Sequence, residues 1–205
     1  MWSVPFADDG PDEEFHRRMS APENEIPVAL PQNLLLARTD DVAVALVGLQ
    51  VYTTGVAFTL IVRARPAGQL AGTSVNDLVW QHVAGPGRFM MGLEFSDGRR
   101  VSNLRSPGGP ADVVFTSAGG SGGEASVEQS WWLHPVPPEG PLRVVVRCAE
   151  LGIEEADVVL DGTAIRRAAE DVVSLWPWAP PPEHRHDEPP RPPDVPPDSW
   201  FAGPS

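Results

Sequence analysis

The chain has 205 residues, is 41% hydrophobic, and sets 28 acidic residues against 15 cations for a formal charge of −13. That length allows one domain or at most two small ones. The acidic surplus argues against nucleic-acid binding, which needs cations to displace phosphate counterions. The single cysteine, Cys148, excludes an intrachain disulfide and suits a reducing compartment.

Residues 1–25 mix acids, prolines and scattered aromatics with no sustained period, so they are expected to form a disordered acidic tail. Asp8, Asp9, Asp12, Glu13 and Glu14 leave no continuous apolar stretch for a signal peptide there. Residues 26–178 hold the dense apolar patterning and are expected to form the folded domain. Val42 to Val62 approaches membrane-spanning length, but Gly48, Gln50, Thr53, Thr54 and Gly55 make it two strands and a turn. Val42 to Tyr52 is almost wholly apolar, as for a strand buried on both faces. Val56, Phe58, Leu60, Val62 and Ala64 then form one face of a second strand. Phe89, Met91, Leu93 and Phe95 alternate with more polar neighbours and run into Asp97-Gly98, a hairpin dipeptide in which glycine accepts positive φ. Arg99 to Leu104 is the returning strand.

Val113 to Thr116 reads as a short strand and Gly119 to Gly123 as a flexible loop. Ala125 to His134 alternates again and sends Trp131 and Trp132 to opposite faces. After a proline-rich connection, Leu142, Val144, Val146 and Cys148 form an inward row, and Ala156 to Leu160 one more strand. The period then changes. Ile165, Ala168, Ala169, Val172, Leu175 and Trp176 share one helical face, with Asp161 or Thr163 as the cap and Pro177 as the stop. Strands followed by one terminal helix give the expected fold: mainly β, an antiparallel β-sandwich, immunoglobulin-like or related, with one C-terminal α-helix. Residues 179–205 are expected to be a disordered proline-rich tail that favours extended, polyproline-like conformations.

No motif specifies a reaction. Gly120-Ser121-Gly122-Gly123 lacks the strand-then-helix setting of a nucleophile elbow and the ending of a phosphate loop. His184, His186 and Asp187 lie in the proline-rich tail, where nothing orients ligands, so no metal and no cofactor is expected. Cys148 falls in an apolar row and reads as an inert core thiol. Glu154, Glu155 and Asp157 read as a solvated acidic turn. The candidates for a protein-binding patch are Trp80, Trp131 and Trp132, of which one of the adjacent pair must leave the core or lie under a loop. Trp200 and Phe201 form a candidate docking motif at the end of the tail. Pro189-Pro190-Arg191-Pro192-Pro193 and Pro196-Pro197 read first as a spacer or solubilising tail, although such runs with a nearby arginine also have the composition of a ligand for aromatic grooves.

Several blocks together resemble a family of uncharacterised actinobacterial proteins. They are Val47 to Val56 (VGLQVYTTGV), Gly92 to Arg100 (GLEFSDGRR), Trp132 to Pro138 (WLHPVPP), Gly152 to Glu155 and Leu175-Trp176. The likeness spans residues from about 30 to 178 and leaves out both tails. It implies a lineage, in keeping with a chain whose cations are all arginine, and no activity or site residues.

The expectation is therefore a non-enzymatic, cytoplasmic interaction module with a protein partner and no nucleic-acid or membrane contact. The rivals are an enzyme without a recognisable motif, which requires a polar pocket with displaced pKa values, and an acidic inhibitor or immunity-type protein of a basic partner, which requires one coherent acidic face.

Overall fold

The apolar run from Val42 resolves into two alternations of opposite phase. Val42, Val44 and Leu46 point inward, and so do Leu49 and Val51. Gly48, at φ +64°, sits in the bulge that separates them, and the register against the next strand slips by one residue between Val47 and Gln50. An extra residue on one strand reverses which side chains face the core. The unbroken apolar reading therefore does not signify burial on both faces; Ala43, Ala45 and Val47 are only half-buried.

The computed structural model describes residues 17–65, 74–80, 88–104 and 112–179. In chain order these form β1 (Glu25–Ile26), β2 (Val28–Leu30), β3 (Leu34–Arg38), β4 (Val42–Val51), β5 (Val56–Ala64), α1 (Val75–Val79), β6 (Met90–Glu94), β7 (Arg100–Ser102), β8 (Val114–Gly122), β9 (Ser126–His134), β10 (Pro141–Cys148), β11 (Ile153–Asp161), α2 (Gly162–Glu170) and β12 (Val173–Ser174). The protein is mainly β, and every ladder among the described residues is antiparallel. One sheet runs β2-β4-β5-β9-β8, with β3 beside β2 on the same edge of β4; a second runs β11-β10-β6-β7; and β1 and β12 make a two-stranded ribbon. The inward rows of both larger sheets belong to one contiguous apolar core. No helix among the described residues is long and apolar enough to cross a membrane.

Several local readings change. β2 and β3, unread in the sequence, are one edge interrupted at Pro31; proline cannot donate to a ladder and is tolerated at such an edge. α1 was also unread. Ser74 caps it by accepting from the Asp77 amide, and Val75, Leu78 and Val79 bury one side of its single turn. The Gly119–Gly123 run is mostly strand, because β8 continues to Gly122 on the ladder supplied by β9. Glu154, Glu155 and Asp157 lie in β11 and not in a turn.

α2 is capped by Asp161, whose carboxylate accepts from the amides of Thr163 and Ala164 at 2.9 and 3.2 Å. It packs against β2 and β4 of one large sheet and β10 of the other through Ile165 and Ala168. It stops at Glu170, well before Pro177. The β-branched pair Val172-Val173 favours extended backbone, and Val173–Ser174 pairs with Glu25–Ile26 instead. Leu175 and Trp176 thereby leave the helical face assigned to them. The same pairing corrects the N-terminal boundary, since residues 17–25 take part in the fold. Residues 1–16 and 180–205 lie outside the described residues.

Candidate functional site

Alternation along β9 places its two adjacent indoles on opposite faces of the sheet. Trp131 enters the core, where its ring stacks on Phe115 with centroids 4.6 Å apart, and Phe115 stacks in turn on Phe58. Its Nε1 donates to the Oε1 of the buried Gln129 at 3.0 Å. Trp132 is on the other face and is only 1% exposed. Tyr52 meets it edge-on, and its Nε1 donates to the Arg18 carbonyl at 2.8 Å, so the N-terminal segment is its cover. Gly55 makes that fit possible: a Cβ there would lie 2.6 Å from the indole and 2.3 Å from the Leu133 carbonyl.

The sequence-level patch of Trp80, Trp131 and Trp132 is therefore not assembled. Trp80 and Trp131 line one cleft of about 340 Å³ with Phe115, Asn103 and Gln129. Its aromatic faces are largely consumed by the Phe58–Phe115–Trp131 stack. Trp132 is elsewhere, and neither adjacent tryptophan offers an exposed surface. Trp200 and Phe201, like His184, His186, Asp187 and the Pro189–Pro193 run, lie outside the described residues.

The exposed aromatic surface is at the ribbon instead. Ile26 pairs with Val173 and Glu25 with Ser174. Paired residues share a face and successive residues alternate, so the ribbon has two unlike sides. Ile26 and Val173, joined by Leu175, are large apolar side chains open to water, Val173 at 55% exposure. On the other side Glu25, Ser174 and Trp176 border a cleft of about 540 Å³, closed by Trp178, Pro22 and Thr54. The Leu175 amide donates to the Asn24 carbonyl and the Asn24 Nδ2 to the Trp176 carbonyl, both at 2.8 Å, which ties the chain just before β1 to the segment after β12. The Glu25 carboxylate accepts from the amide and hydroxyl of Thr53 and ties the ribbon to the β4–β5 turn. The Arg17 guanidinium lies 4.7 Å from the centre of the Trp178 ring. Trp176 itself is 58% exposed, and its indole has no ring, cation or hydrogen-bond partner among the described residues. The sequence contained Trp176 but assigned it to a buried helical face; the β-branched pair before it was the signal against that.

One displaced ionisation adjoins the ribbon cleft: burial, then the Glu25 carboxylate, raises the Tyr52 hydroxyl. The others among the described residues lie away from both clefts. Across the outer face of the second sheet, in spatial order, stand Arg100 on β7, Glu94 on β6, Arg143 on β10 and Asp157 on β11. Arg100 bonds Glu94 at 2.8 Å, and Arg143 reaches Glu94 at 3.3 Å and Asp157 at 3.0 Å. The hydrogen bond from Arg100, then that from Arg143, holds the Glu94 carboxyl below its ordinary range; the bond from Arg143 does the same for Asp157, and these carboxylates raise Arg143. At the hairpin tip the Arg99 backbone amide, followed by its side chain, lowers Asp97. Burial pushes the Cys148 thiol up, which favours its neutral, unreactive form. No set of three or more His, Cys, Asp or Glu side chains among the described residues is placed to hold a metal ion. No family model matches the chain, and no curated protein or solved structure is significantly similar to it.

Proposed function

We propose that the chain is a non-enzymatic, cytoplasmic protein-binding module, in which a β-sandwich core of immunoglobulin-like or related type carries a docking face on the β1–β12 ribbon. The two antiparallel sheets sharing one core support the sandwich reading. The observation that carries the function is the exposed apolar face of Ile26, Val173 and Leu175. Contiguous exposed apolar side chains of this size mark contact surfaces.

The rival readings draw less support. An enzyme concentrates several displaced pKa values in one cleft, whereas among the described residues only Tyr52 adjoins the ribbon cleft and the other displaced groups are spread over an open sheet face, a hairpin tip and the core. An inhibitor of a basic partner needs a coherent acidic face, whereas the outer face of the second sheet alternates positive and negative charges strand by strand. The test is Val173→Asp in the full chain. It should abolish quantitative capture of the partner from a native lysate while leaving the melting midpoint unchanged. Equal capture, or a large loss of stability, would overturn the proposal.

A further inference from the structure

We propose that the cleft on the inner side of the ribbon is a polyproline II site specific for an arginine-bearing segment, and that its occupant is the chain's own Pro189–Pro193. The inference rests on the reading of the ribbon as an interaction surface and adds the ligand class for its other side.

Two indoles, Trp176 and Trp178, border the cleft together with Pro22. Indole offers a flat apolar face and a single N–H donor. A run of prolines is the complementary ligand, since it presents apolar rings and backbone carbonyls while contributing no N–H groups of its own. It is also stiff before binding, so little entropy is lost on docking. The Nε1 of Trp176, which has no hydrogen-bond partner among the described residues, is a donor suited to such a carbonyl. Two carboxylates, Glu23 and Glu25, line the cleft against one cation, Arg17, and this acidic balance agrees with an arginine in the ligand. Glu23 lines the cleft, is exposed, and has no ion pair among the described residues. Arg17 over Trp178 already demonstrates that a guanidinium stacks on an indole of this site.

The own-chain assignment follows from position. Ala179, the last described residue, itself lines the cleft. Pro189-Pro190-Arg191-Pro192-Pro193 begins after only nine more residues, a connection that reaches roughly 30 Å when extended and is long enough to turn back. A tether of this length holds the segment at an effective concentration of roughly millimolar, enough for a weak groove ligand.

The test is nuclear magnetic resonance of the full-length protein labelled with ¹⁵N, read at the tryptophan indole N–H signals, with Trp176→Phe identifying the one from Trp176. In a full chain carrying Pro189→Ser, Pro190→Ser, Arg191→Gln, Pro192→Ser and Pro193→Ser, the Trp176 signal should move. A synthetic peptide of residues 187–195 should return it, and should bind this variant at least about tenfold more tightly than it binds the intact chain, whose site is already filled. The intact chain's signal should hold its position over a hundredfold dilution. A Trp176 signal that ignores both the tail substitutions and the peptide would overturn the site. A signal that shifts on dilution would overturn the own-chain assignment and make a second copy the donor. Val173→Asp, on the opposite side of the ribbon, should leave the signal in place, so the docking face and the cleft stand or fall separately.

Discussion

Trp131 and Trp132 in β9 and Trp176 and Trp178 near the chain end are the same side chain put to opposite uses. In β9 strand alternation decides which way each indole points, whereas Trp176 sits in a bend just after β12. The cover differs too. β9 has β5 on one side and β8 on the other, a core beneath it and the N-terminal segment above it, so both of its indoles find partners. β12 has one two-residue neighbour and, among the described residues, no sheet stacked on it, and Trp176 just beyond it is 58% exposed. Period tells the direction of a side chain; the number of layers around the strand tells whether that direction is inside.

The widest separation between the two regions should come from truncation. Trp132→Ala removes an indole from a fully covered site and should cost about 3–5 kcal/mol in urea unfolding, with part of the loss arising from the Arg18 carbonyl that loses its donor. A cost under 1 kcal/mol would mean that residues 17–25 do not cover this face. Gly55→Ala probes the same contact from the other side. The added methyl meets the Leu133 carbonyl and the indole at distances neither can yield without backbone movement, and overpacking of this kind costs about 1–3 kcal/mol.

The alternating rows of β5, β6 and β10 were legible because each keeps one phase from end to end, and the Asp97-Gly98 hairpin because its chemistry is local. Less legible was everything set by a partner far along the chain. The phase reversal in β4 depends on a bulge that only its neighbours' register reveals. The glycines of β8 become strand because β9 supplies a ladder, against their own preference. The ribbon joins residues about 150 positions apart, and it alone turns Trp176 from an expected core residue into the exposed feature of the candidate site. A period of 3.6 was present through Val172, Leu175 and Trp176, yet tertiary pairing with Glu25–Ile26 outweighed it.

Trp176→Ala should therefore differ sharply from Trp132→Ala. The ring makes no ring stack, cation contact or hydrogen bond among the described residues, and the ribbon is held by the Trp176 carbonyl, which alanine keeps. The expected change in stability is within about 0.5 kcal/mol, as for exposed positions without special contacts. A loss comparable to that of Trp132→Ala would place the ribbon inside the core and remove the basis for a docking face.

The smallest effect concerns charge, and it tests whether exposure alone makes a group dispensable. The Arg100–Glu94–Arg143–Asp157 ladder belongs to the outer face of a core sheet, and its members range from partly exposed, as Glu94 is, to open, as Arg100 is. Glu94 and Asp157 are both held below their ordinary values, first by hydrogen bonds from Arg100 and Arg143 respectively. A carboxyl with a depressed folded-state pKa contributes stability that is fully present above its unfolded value of about 4. The contribution is lost as pH falls through the lower folded-state value. Solvent screening keeps it small, so neutral-pH stability should barely respond to Arg143→Gln. The acid limb is where the two proteins should part. The wild-type chain should lose stability more steeply below pH about 4 than Arg143→Gln, because the variant has less favourable charge pairing left to lose. Urea midpoints measured across that range decide it, and superimposable acid profiles would show that the ladder contributes no more to folding than an isolated surface charge.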